Sequence, residues 1–192
     1  WGFNNIGIDL IFGIPGQTMA TWGASLEEAI RLFPEHISMY GLTYEAQTPL
    51  WRLAQDKKII KCNDDLERDM FLFGIDTLKN AGYEHYEISN FARPGFRSKH
   101  NSSYWDGSSY LGLGPSAHSF STAKRWWNVD DLSQYINKLK IDQIPVAGSE
   151  DIGGREMLHE LILLGLRRIE GIDLNLLQRL TKMSAGELIE QV

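Results

Sequence analysis

The sequence predicts an α/β fold over residues 1–90, a Gly- and aromatic-rich loop and strand region over 91–129, and a mainly α-helical part over 130–192. Three observations predict it. Ile6, Ile8, Leu10 and Phe12 alternate with Gly7, Asp9, Ile11 and Gly13, which is the period of a strand. Trp22, Leu26, Ala29, Ile30 and Phe33 then recur at helical spacing before Pro34, and a second strand pattern starts at His36. Beyond residue 130 the apolar residues recur mostly at helical spacing.

The elements follow in order. Pro15-Gly16 ends the first strand, and Thr18 or Thr21 caps the first helix. A strand from about His36 to Tyr44 completes a strand–helix–strand unit, which implies a parallel pair with the helix on its apolar face. A short helical stretch is expected around Leu50 to Ala54. A long helix is expected from about Asp64 to Ala81, with Asp64 and Glu67 as a capping-box-like start. Tyr83 to Ser89 reads as a third strand, and Arg125 to Asn128 as a short one. Asp130 or Asp131 opens a helix, Glu156 to Ile169 forms another, Asp173 caps a third and Ser184 the last.

Composition excludes several classes. Of 192 residues, 43% are hydrophobic and 23% charged, which excludes disorder and coiled coil. A net charge of −6 argues against nucleic acid as a partner. No apolar run approaches the ~18 residues of a membrane span. Cys62 is the single cysteine, so this chain alone cannot supply an iron–sulfur cluster with several thiolates. The cysteine count fits a cytoplasmic location. The chain starts at Trp1 rather than Met and ends within an amphipathic pattern, so it reads as a piece of a longer protein.

Asp9 lies mid-strand on the face opposite Ile8, Leu10 and Phe12. It is expected to point into a barrel or a sheet crevice, near the strand end where α/β proteins bind ligands. A carboxylate there suits two vicinal hydroxyl donors; a carboxylate satisfied by neighbouring backbone is the alternative. Gly13-Ile14-Pro15-Gly16-Gln17 is a glycine-rich strand-to-helix turn, without a phosphate-binding motif. His100, Asn101, Tyr104 and Trp105 fall in a segment that reads as non-helical. Imidazole ligates haem iron, and aromatic rings wall flat apolar ligands. His118 is a second candidate ligand, and Trp126-Trp127 reads as pocket lining or core. Cys62, with no base beside it in sequence, reads as unreactive.

Several segments together resemble one family. They are Ile8 through Thr18, His36-Ile37-Ser38, Tyr44-Glu45 through Thr48-Pro49, and Tyr86 through Gly95. They continue with His100-Asn101 and Tyr104-Trp105, Tyr110 through Gly114, Ala117-His118-Ser119, and Arg125 through Asn128. The chain resembles the C-terminal half of radical S-adenosylmethionine proteins of the oxygen-independent coproporphyrinogen III oxidase superfamily. Within it, the resemblance is closest to the HemW-type haem chaperones.

The resemblance implies the last strands of a partial TIM-type (β/α)6 barrel, followed by a mainly α-helical C-terminal domain. It implies that Asp9 meets the ribose of S-adenosylmethionine and that Ile11 and Gly13 support the adenine. The family's CxxxCxxC motif, which binds a [4Fe–4S] cluster, would precede Trp1. This chain alone would therefore hold no cluster and cleave no S-adenosylmethionine, and it carries no catalytic residue of its own. The His-Asn-x-x-Tyr-Trp pattern implies haem binding and transfer to acceptor proteins, with His100 as candidate iron ligand and Asn101, Tyr104 and Trp105 around it. The alternative within the superfamily is oxidative decarboxylation of coproporphyrinogen III. A catalytically silent interaction domain is the third reading. A sheet edge left open by missing strands would favour a homodimer. Peripheral membrane association stays open beside it.

Overall fold

The computed structural model describes residues 2–181, 184, 186 and 187. It divides into two compact units, Trp1–Ser98 and Lys99–Val192. In the first unit, β1 (Gly7–Phe12), α1 (Met19–Arg31), β2 (His36–Gly41), α2 (Pro49–Gln55), α3 (Asp64–Asn80), β3 (Glu84–Glu87) and β4 (Asn90–Ala92) succeed one another. The expected parallel pair is present, with Asp9 in register with Ser38. The sheet order is β1-β2-β4-β3, so β3 does not join β2 directly. It turns back instead, and β4 pairs antiparallel with both neighbours.

Local chemistry sets these boundaries. Thr18 caps α1, and Thr21 returns the bond in a capping box. Asn63, not Asp64, caps α3, because its side-chain oxygen accepts from the Leu66 amide at 2.7 Å. The helix thus begins at Asp64 as expected, and its cap lies one residue before the one expected. Helices α1 and α3 cover one face of the sheet. Trp22, Leu26, Ile37, Met39, Met70 and Phe91 form the centre of that core. Trp22 is fully buried and donates its indole N–H to the Met70 carbonyl at 2.9 Å.

The second unit holds α4 (Lys99–Trp105), β5 (His118–Ser121), β6 (Lys124–Asn128), α5 (Leu132–Lys140), β7 (Val146–Asp151), α6 (Gly154–Gly165) and α7 (Leu174–Thr181). Two elements correct the sequence reading. Residues 99–105 are helical, although nothing in their pattern shows an apolar stripe. Residues 146–151 are a strand within the part expected to be helical. They pair with β6 in the antiparallel sheet β5-β6-β7. Without them, one edge of β6 would lack backbone partners. Asp131 caps α5 and Asp173 caps the α7 segment, as expected. Ser184 and Glu187 exchange side-chain-to-backbone hydrogen bonds, and the rest of that final helix lies outside the described residues. The core of this unit gathers Phe120, Ile152, Met157, Leu158, Leu161 and Leu177. Among the described residues, no helix is long and apolar enough to cross a membrane.

Candidate functional site

Strand β1 sets the first candidate group. Ile8, Leu10 and Phe12 turn toward the core side, while Asp9 and Ile11 are exposed on the other face. The facing argument from sequence therefore holds, but the carboxylate is not buried in this chain. Asp9 makes no side-chain hydrogen bond among the described residues, so its oxygens are free to accept two donors. The carbonyls of Ile6 and Phe12 accept from the β2 side. In a parallel strand the intervening residues Gly7, Asp9 and Ile11 then direct their backbone groups to the opposite edge. Gly13 follows with φ +75°, a conformation open to glycine, and its N–H donates to Gln17 Oε1 at 2.7 Å. The amide of Gly13 is thus committed to its own turn.

One neighbour of Asp9 escaped the sequence reading. His36 lies on the same face, and its Nε2 is 2.8 Å from the Tyr86 hydroxyl. Burial pushes the His36 pKa down, and the nearby Asp9 carboxylate works against that shift. The Tyr86 hydroxyl, itself buried, is pushed up to about 12. Cys62 is partly buried, and burial, with the Glu67 and Asp64 carboxylates, raises its thiol pKa. This agrees with an unreactive thiol.

Helix α4 sets the second group. His100 and Tyr104 lie one turn apart, with Nε2 3.1 Å from the tyrosine hydroxyl and the rings edge-to-face at 5.0 Å. Tyr104 meets Tyr110 edge-to-face at 4.6 Å. Behind them lies a cleft of about 480 Å³, within the roughly 300–1,000 Å³ of small-molecule sites. Tyr104, Trp105, Tyr110, Phe120, Leu161 and Leu164 give it aromatic and aliphatic walls. Arg125, Glu160 and Arg167 add polar groups.

Of the four residues expected around a flat ligand, Tyr104 and Trp105 line this cleft, and His100 and Asn101 do not. His100 is exposed beside it, with Nε2 engaged by Tyr104. That contact must open before this nitrogen can meet a metal. His118 is exposed on β5 and stacks on Trp127 at 5.7 Å. Trp126 lines a separate depression of about 360 Å³ with Leu111, Tyr135 and Ile144. The Gly112–Ser119 loop is a structural turn. Gly112 packs so closely on His118 that an added Cβ would stand 2.2 Å from the His118 carbonyl oxygen. Asn128 donates to the Gly114 carbonyl at 2.9 Å. Among the described residues, no group of three or more His, Cys, Asp or Glu side chains is placed to hold a metal ion.

Several cleft residues were missed from sequence, among them Glu160 and Arg167. One signal was available. Met157, Glu160, Leu161 and Leu164 share a face of α6 at i, i+3, i+4 and i+7, so Glu160 interrupts an apolar stripe.

No family model matches the chain. Curated relatives do. The Heme chaperone HemW of Bacillus subtilis is 34% identical over 171 residues, 89% of this chain and 45% of that protein. The chain is related to the HemW heme chaperones. The HemW of Mycobacterium tuberculosis is 35% identical over 173 residues, 90% of this chain and 44% of its own length. The mitochondrial Radical S-adenosyl methionine domain-containing protein 1 of Mus musculus is 38% identical over 175 residues, 87% of this chain and 40% of that protein. The chain spans about half the length of the curated relatives it matches. Among solved structures it resembles the coproporphyrinogen III oxidase HemN of Escherichia coli, a radical SAM enzyme. The TM-score is 0.75 at 19% identity, over 98% of this chain and 46% of that one, a likeness of fold. The HemW resemblance read from the sequence is borne out.

Proposed function

We propose that the chain is part of a haem-binding chaperone of the radical SAM superfamily, one that transfers haem to acceptor proteins. The observation that carries this reading is the aromatic cleft beside His100–Trp105, in a chain related to HemW. Tyr104 and Trp105 wall the haem as cargo. His100 stands beside the cleft as the candidate iron ligand, and Asn101 is its neighbour on α4. In the same reading, the first unit is the last part of a partial (β/α)6 barrel, and the helices after residue 130 belong to a C-terminal domain. Asp9 accepts hydrogen bonds from the ribose hydroxyls of S-adenosylmethionine, while Ile11 and Gly13 flank the adenine. The free carboxylate of Asp9 and the exposed face of Ile11 support that fit. The [4Fe–4S] cluster is held by residues other than those of this chain, whose single cysteine cannot supply it. The cytoplasm is the compartment that this cysteine content supports.

Haemin titration of the full-length protein, followed at the Soret band, tests the reading. The expected result is saturable binding, with altered affinity or spectrum in His100→Ala. Identical affinity and spectra in that variant remove His100 from the ligand role. Formation of protoporphyrinogen in an anaerobic assay with the cluster reconstituted would replace the chaperone reading with decarboxylation.

A further inference from the structure

The α4–α6 cleft contains two cations in different circumstances. Arg125 is neutralised, with Glu150 at 2.8 Å and Glu160 at 2.6 Å. This pairing also neutralises Glu160, the carboxylate that lines the cleft. Arg167 is exposed, lies just past the end of α6, and has no ion-pair partner among the described residues. Its guanidinium sits 5.4 Å from the centroid of the Trp105 ring. The same indole carries a second unfilled requirement: its Nε1 is buried and has no acceptor. An indole N–H only donates, so an oxygen acceptor is the group it lacks. An unpaired guanidinium thus lies against the aromatic wall of a cleft whose other cation is neutralised.

We propose that Arg167 and Trp105 form the anion-reading end of this cleft, which takes a flat aromatic ligand by its faces and fixes its carboxylate groups. Arg167 supplies the planar fork that matches a carboxylate, and Trp105 supplies the flat wall beside it. The inference deepens the haem reading and rests on it for the choice of probe, since haem is a flat macrocycle with two carboxylate side groups.

The experiment compares haemin with haemin dimethyl ester, whose carboxylates are blocked, by Soret titration of the full-length protein. The wild type is expected to bind haemin roughly tenfold more tightly than the ester. Arg167→Gln should lose that preference, its haemin affinity falling to that for the ester, and Arg167→Lys should recover part of it. Because Arg167 is exposed, these variants are expected to fold, and circular dichroism checks this. Equal affinity of the wild type for haemin and ester overturns the inference and leaves the haem reading standing. So does a preference that survives in Arg167→Gln. Failure of the wild type to bind haemin at all overturns both.

Discussion

The two units present their candidate groups in opposite ways. In the first, Asp9 and Ile11 stand on a strand whose other face is locked into a core around Trp22, Ile37 and Phe91. Register alone decides where they point. In the second, Tyr104 and Trp105 stand on a seven-residue helix, and the cleft they line is completed by β5, β6 and α6. Tertiary packing decides where they point. A site on a strand is therefore readable one residue at a time, whereas a cleft built from four separate segments is not.

Four expected outcomes sharpen that contrast, taken from the largest effect downward. Trp22→Ala removes a fully buried indole and its hydrogen bond, and should cost about 3–5 kcal/mol in denaturant unfolding. A loss below ~1 kcal/mol would contradict the packing of α1 and α3 on the sheet. Asp9→Ala should weaken S-adenosylmethionine binding by about 1.5–3 kcal/mol in calorimetry of the full-length protein, and leave haemin binding untouched. Parallel loss of both ligands would end the separation of the two groups. Gly112→Ala drives a Cβ into the His118 backbone and should cost roughly 1–3 kcal/mol, seen as a lower Tm. Asp131→Ala removes the cap of α5 and should cost about 1 kcal/mol.

A further expectation concerns pH. Burial lowers the folded pKa of His36 below its ordinary 6.5, so as pH falls the unfolded chain takes up this proton first. The contribution of neutral His36 is complete above that ordinary value and is lost as pH falls through the folded pKa. Stability should therefore decline on acidification below about pH 6.5, and His36→Gln should flatten that part of the curve. An unchanged slope would show that other groups govern it.

Much of the first unit was legible in the sequence. The alternation of β1, the caps at Thr18 and Asp131, and the parallel β1–β2 pair all follow from spacing and local hydrogen bonding. The return strand β4 was not, because three residues carry no period. Strand β7, Val-Ala-Gly-Ser-Glu-Asp, has one β-branched residue and no apolar alternation, and exists because β6 needs a partner. Helix α4 was hidden for a similar reason. Its His, Asn and two Ser residues are weak helix formers, and its aromatic end is held by Arg167 and helix α6, remote in sequence. The same remoteness hid Arg167 and displaced His100 from the cleft that its neighbours line.

The central claim is that the cleft of the second unit holds haem. Its most direct test is a Soret-monitored haemin titration of Trp105→Leu in the full-length protein, with circular dichroism confirming the fold. Leucine keeps the site apolar but removes the flat wall. Haemin affinity should fall by at least about tenfold. Wild-type affinity and an unchanged Soret spectrum in that variant would contradict the claim.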